Sequence, residues 1–131
     1  METPFEIVTL YIGLNVLLMA FLKLNCGRVR TATKVDYGAG ENDRMARAMR
    51  VQGNAVEDVP ITLIGLLALA ALSAPAMLLH ILGGTLTGAR VLHAVGLGSK
   101  GGFSLGRVLG TIGSLLCLLV TAGACIYFAI T

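Results

Sequence analysis

Residues 44–60, RMARAMRVQGNAVEDVP, set three arginines, an asparagine and two carboxylates directly ahead of the apolar run ITLIGLLALAALSAPAMLLHILGG. On a helix turning 100° per residue, Arg47, Arg50, Asn54 and Glu57 fall within an arc of about 80°, with Arg44 and Asp58 at its border. Guanidinium groups suit carboxylates or phosphates because each offers fixed charge and a planar fork of donors. Asn54 and Glu57 add groups able to hold an amine or amide, so this face fits a small zwitterion carrying more than one carboxylate. A solvated or headgroup-level face, with snorkelling arginines paired to acids a turn away, suits Arg44 and Arg47. It suits Asn54 and Glu57 less well, since ionisable groups at membrane depth cost roughly 2.5–3.5 kcal/mol unless they face partners or a cavity. A polar network internal to the fold is the alternative to a ligand site.

Two later segments supply partners at the same depth. Arg90 and His93 stand a turn apart in TGARVLHAVGL, and Ser104, Arg107, Thr111 and Ser114 form one stripe of SLGRVLGTIGS. An arginine near a helix start reinforces an end that already favours anions. Together these residues predict a basic, partly desolvated pocket at one end of the molecule.

The elements that must position them are membrane helices. Of 131 residues, 56% are hydrophobic and 13% charged, and the mean hydropathy is +0.83. Soluble domains have about 45–50% apolar and about 25% charged residues. The chain therefore reads as a single all-α integral membrane domain, residues 1–131, with four transmembrane helices at about 5–26, 43–72, 76–97 and 104–130, each near the ~20 residues that cross a bilayer core. Gly38 and Gly40 mark a turn in the polar connection from Gly27 to Asp43. Asn42 or Asp43 caps the second helix, which continues past Pro60 unless that residue kinks it.

The first helix has Glu2 and Glu6 before it and Lys23, Arg28 and Arg30 after it, so it reads as retained and not as a cleaved signal. Basic residues, Lys100 among them, gather at the first and third connections. Positive-inside counting places those connections in the cytoplasm and both termini outside. Cys26, Cys117 and Cys125 show no CxxC or metal-ligand spacing and read as packing residues, and no metal is expected. The net charge of +3 is a topology signal and not a nucleic-acid footprint. His80 and His93, thirteen apart on one helix, give no haem pair within a protomer. Asn15 reads as glue between helices, with a ligand contact as the alternative, and Gly84/Gly88 and Gly106/Gly110 are GxxxG pairs that permit close helix approach.

RAMRVQGNAVEDVPITL, followed by GARVLHAVGL and by GRVLGTIGSLL at the start of the last helix, resembles the MAPEG family (membrane-associated proteins in eicosanoid and glutathione metabolism), especially its short bacterial branch. The likeness spans nearly the whole chain. Its most specific part is RxxxNxxE followed by proline at the membrane boundary. The resemblance implies a homotrimer that binds glutathione between subunits at the cytoplasmic end. It gives Arg50, Asn54 and Glu57, with Arg47, to glutathione on the second helix, Arg28 to the peptide's carboxylate, and Arg90 and His93 to polar positions on the third. Arg107 matches the arginine near the sulfur in catalytic members. A free thiol has a pKa near 8.5, and keeping it ionised at neutral pH means lowering that value by roughly one to two, about 1.4 kcal/mol each. A desolvated cation supplies this, and the thiolate would attack a lipophilic electrophile or hydroperoxide arriving from the bilayer.

Two departures bear on that chemistry. Many catalytic relatives place a tyrosine about one turn after the arginine, where this chain has Gly110 and Thr111, so activation would rest on Arg107 with Ser104 or Thr111. Gly53 stands where several relatives carry a further basic residue. The resemblance thus implies a glutathione transferase or peroxidase, with a non-catalytic glutathione- or lipid-binding scaffold of the same fold as the alternative and a small transporter as a weaker one. Expected partners are glutathione, a lipophilic small molecule, membrane lipids and further copies of the chain. A bacterial inner membrane suits the branch, and an endoplasmic-reticulum membrane gives the same geometry.

Overall fold

The computed structural model describes residues 2–99 and 104–131, and Lys100 of the topology count lies outside them. Four helices follow one another: α1 (Pro4–Thr33), α2 (Asp43–Ala71), α3 (Ala76–Ser99) and α4 (Leu105–Ile130). All four are long and apolar enough to cross a membrane, and the protein is a multi-pass integral membrane protein.

Local chemistry sets the helix ends. Thr3 Oγ1 accepts from the Glu6 amide at 3.2 Å while a Glu6 carboxylate oxygen accepts from the Thr3 amide at 2.6 Å, a reciprocal capping box with Pro4 at the first helical position. Asn42 caps α2, its side-chain oxygen accepting from the Met45 amide at 3.0 Å. Lys34, Gly38 and Gly40 take left-handed backbone between α1 and α2, the two glycines making the turn. Helix α2 runs through Pro60 without interruption.

Helix α1 continues seven residues past the sequence-derived end at residue 26. At ~1.5 Å per residue it is about 45 Å long against a bilayer core of ~30 Å. A second, smaller core explains the extension: Cys26 and Val29 of α1 are buried against Met45 and Ala48 of α2, flanked by Val35 and Met49. Much of the sequence expected as polar connection is therefore helix, and the arginines it carries are held on a rigid element. Arg30 ties down the turn by donating to the carbonyls of Val35 (2.9 Å) and Gly38 (3.0 Å).

Helices α2 and α3 form the centre. Helix α1 packs on both from one side and α4 on both from the other, and α1 and α4 do not meet among the described residues. The main core joins Ile7, Val8, Leu66, Leu69, Leu79 and Leu86, all at most 2% exposed. Outer faces of α1 and α4 are apolar and exposed, with Leu17 at 70% and Leu119 at 59%, as lipid or a second protein surface requires.

Asn15 is fully buried in α1, and its Nδ2 donates to Thr87 Oγ1 of α3 at 2.8 Å and to the Tyr11 carbonyl at 2.9 Å. It joins helices within the protomer. Such bonds in membrane bundles average about 0.6 kcal/mol and reach about 1.7, so Asn15→Ala should lower stability by about 1 kcal/mol in detergent unfolding. An unchanged midpoint would remove the bond from the stability account.

Candidate functional site

At the end of the bundle formed by the α1–α2 connection, the polar residues separate into three groups. The first is internal and centred on Arg90, whose side chain is 2% exposed. Its Nε donates to Ser114 Oγ of α4 at 2.7 Å, one Nη to the Gly110 carbonyl of α4 at 3.3 Å, and the other to the Asn54 carbonyl of α2 at 3.1 Å. That last nitrogen also lies 3.2 Å from an Asp58 carboxylate oxygen. One side chain thus fastens three helices, with its charge met by Asp58. His93, 3% exposed, extends the network: the Asn54 side-chain amide and His93 Nε2 share a hydrogen bond at 3.2 Å.

The second group faces outward. Arg50 and Glu57 lie 3.6 Å apart with side chains 63% and 60% exposed. An ion pair so exposed contributes little to stability, which leaves both groups free to exchange each other for a ligand. Arg107 and Thr111 are exposed on α4, while Ser114 on the same stripe is buried against Arg90. Thr111 Oγ1 donates to the Arg107 carbonyl at 2.9 Å, and Ser104, at the N-cap of α4, makes no side-chain capping bond.

The third group surrounds a cavity of about 400 Å³ between the last turns of α1, the first turns of α2 and the end of α3, lined by Arg28, Arg44 and Arg47 with Phe21, Val51 and Val95 among its apolar walls. Arg28 donates to Asn25 at 3.1 Å. The half-buried Arg47 has its Nε shielded and without a partner among the described residues.

Arg47, Arg50, Asn54 and Glu57 therefore do not converge on one site within the protomer. Periodicity put them in a common arc, but that arc straddles a helix packed on both sides: Arg47 reaches toward α1, Asn54 toward α3, and Arg50 and Glu57 outward. Sequence reasoning left Asp58 at the border of the face and gave it no partner. Its place four residues after Asn54, where the apolar run begins, was the available signal, because a carboxylate at that depth requires a cation. Among the glycines, Gly106 and Gly110 do mediate close approach of α4 to α3, but Gly106 meets Leu92 and Gly96, Gly110 meets Ala89 and His93, and Gly88 has open space beside it.

The opposite end carries a smaller cluster: His80 Nε2 lies 3.3 Å from Glu2, and Nδ1 bonds the Tyr11 hydroxyl at 3.0 Å. Both histidines thus have side-chain partners from other parts of the chain.

Four apolar helices with charge concentrated at one end, an outward Arg–Glu pair on α2 and an exposed arginine early in α4 define a small polytopic membrane protein with a charged, arginine-rich end. Residues 8–127 match the MAPEG family, and the chain belongs to it. It is 33% identical over 87 residues to the inner membrane protein YecN of Escherichia coli strain K12, and equally to YecN of an O6:H1 strain, an alignment covering 66% of this chain and 66% of each relative. No solved structure matches the chain.

Proposed function

We propose that the protein binds glutathione at its charged end, through Arg50 and Glu57, with Asn54 behind them held to His93, and presents the thiol to Arg107 for attack on a lipophilic electrophile or hydroperoxide. The observation that carries this reading is the exposed Arg50–Glu57 pair at the RxxxNxxE positions of a MAPEG chain. Arg50 offers donors to a carboxylate and Glu57 an acceptor to an ammonium, and separating the two from each other costs little. Arg107 is also exposed at the start of α4. In a homotrimer, Arg107 of one copy would meet the Arg50–Glu57 face of the next, completing a site that one protomer leaves open. The membrane is the bacterial inner membrane, as in the YecN relatives, with the charged end cytoplasmic.

Arg107 would hold the sulfur as thiolate, the proton passing to water, and the thiolate would form the new carbon–sulfur bond as the leaving group departs or the epoxide opens; with a hydroperoxide it would take the outer oxygen as the alcohol leaves, and a second glutathione would convert the sulfenic acid to disulfide and water. Glutathione affinity measured on protein in detergent, followed by conjugation of a lipophilic haloarene, tests this. We expect Arg50→Ala to weaken binding. Arg107→Ala should leave most of the affinity but slow turnover about 10- to 100-fold at neutral pH, the share expected from losing one to two units of thiol acidification. Wild-type turnover in Arg107→Ala would end its catalytic role, and undetectable glutathione binding with and without the haloarene would end the site assignment.

A second reading has its own observation. The Thr111 hydroxyl spends its proton on the Arg107 carbonyl, and no tyrosine stands one turn along, so beside Arg107 only Ser104 is left to offer the sulfur a donor. Under that reading the protein is a non-catalytic glutathione- or lipid-binding scaffold. Saturable glutathione binding without conjugation or peroxide reduction would decide for it.

A further inference from the structure

We infer that the cavity between α1, α2 and α3 is a second anion site, taking the phosphate headgroup of an anionic membrane phospholipid. It is separate from the glutathione reading and does not depend on it. On α2 the cavity residues Arg44, Arg47 and Val51 centre about 100° from Arg50 and Glu57 around the helix axis, so the two groups serve different faces. This assigns Arg28 and Arg47, which the family likeness gave to glutathione, to another ligand.

Three observations converge on a phosphate. The lining holds three arginines and no carboxylate among the described residues. Among the described residues none of the three forms an ion pair, although Arg50 and Arg90 on the same bundle each find an acid. Arg47 Nε is shielded from solvent with no acceptor, and a buried unpaired donor on a cation is costly unless something supplies the acceptor. The first turns of α2, which carry Arg44 and Arg47, also direct their backbone dipole toward an anion.

A lipid, more than a free phosphate, accounts for the remaining walls. Phe21 and Val95 are exposed, 63% and 66%, and line the same cavity on the side toward the apolar spans. A diacyl chain leaving the headgroup would cover them, whereas a soluble anion would leave them bare. The cavity lies where the apolar spans give way to the charged end, at headgroup depth, and basic pockets between membrane helices at that depth bind anionic headgroups.

Native mass spectrometry of the full-length protein in neutral detergent, titrated with phosphatidylglycerol or phosphatidylcholine, tests the assignment. We expect phosphatidylglycerol to be retained preferentially, and its apparent affinity to fall about fivefold for each arginine removed in Arg44→Gln and Arg47→Gln. The Lys replacements should keep most of it, and Arg107→Gln should keep all of it. Arg44 is exposed and makes no side-chain bond among the described residues, so Arg44→Gln alone remains informative if the Arg47 variant unfolds. Equal retention of phosphatidylcholine would overturn the proposal, as would undiminished phosphatidylglycerol binding by Arg44→Gln of wild-type thermal stability. Glycerol phosphate displacing the lipid at matched concentration would instead make the site one for free phosphates, and glutathione doing so would make it part of the thiol site. Either result overturns it too.

Discussion

Arg90→Ala should destabilise the protein by about 3–5 kcal/mol, the range for removing one partner of a buried ion pair. The guanidinium is 2% exposed and meets Ser114 Oγ, the carbonyls of Asn54 and Gly110, and the Asp58 carboxylate. Truncation leaves that carboxylate without its cation and Ser114 without its partner, at a depth where water cannot easily substitute. Arg90→Lys should recover only part of the loss, since one ammonium cannot reach acceptors on α2 and α4 as a planar fork does. Asp58→Asn should cost less than Arg90→Ala, because the Asp58 side chain is 35% exposed and its absence leaves Arg90 with three neutral partners. Combining Arg90→Met with Asp58→Leu removes both charges and should restore much of the stability lost in Arg90→Ala. Unfolding midpoints in detergent, read as a double-mutant cycle, measure all of this. If Arg90→Ala kept the wild-type midpoint and lost only glutathione affinity, Arg90 would be a ligand residue and not the clasp of the bundle.

That result would also decide between the two readings open from sequence for polar residues at membrane depth, an internal network or a ligand site. Both uses demand the same residue types: an arginine needs an acid or an anion, and periodicity reports which residues share an arc without reporting what faces it. The four helices were legible because membrane length and hydropathy set them almost alone. The Asn42 cap was legible because capping depends on a few neighbouring residues. The length of α1 was not, because its last turns are held by Cys26 and Val29 packing on Met45 and Ala48, contacts across the first connection that no local signal announces. For Asn54 the sequence offered Arg90 and His93 at the same depth as partners, but its place on one arc with Arg50 and Glu57 could not show that the packing of α3 against α2 turns its amide to His93 and away from that pair.

Gly110→Ala should destabilise the α3–α4 contact by about 1–3 kcal/mol, the cost of overpacking a tight site, and possess the opposite sign to the same change at an open glycine. A Cβ at Gly110 would stand 2.5 Å from the Ala89 carbonyl oxygen and 2.6 Å from the His93 amide nitrogen. Those are backbone atoms, so no rotamer change relieves the clash, and α3 and α4 must separate. Separation would in turn lengthen the Arg90 contacts to Ser114 and to the Gly110 carbonyl itself, coupling this glycine to the clasp. At Gly27, on the exposed side of α1, an added Cβ meets nothing within 4 Å. There Gly→Ala should stabilise by roughly 0.5–1 kcal/mol, since only the backbone entropy of glycine is removed. Opposite signs at the two positions are the expected result in thermal or denaturant unfolding. Because the Gly110 effect runs partly through Arg90, Gly110→Ala and Arg90→Ala together should cost less than the sum of the two alone. Strict additivity would mean that the close approach of α4 and the arginine clasp hold the bundle independently.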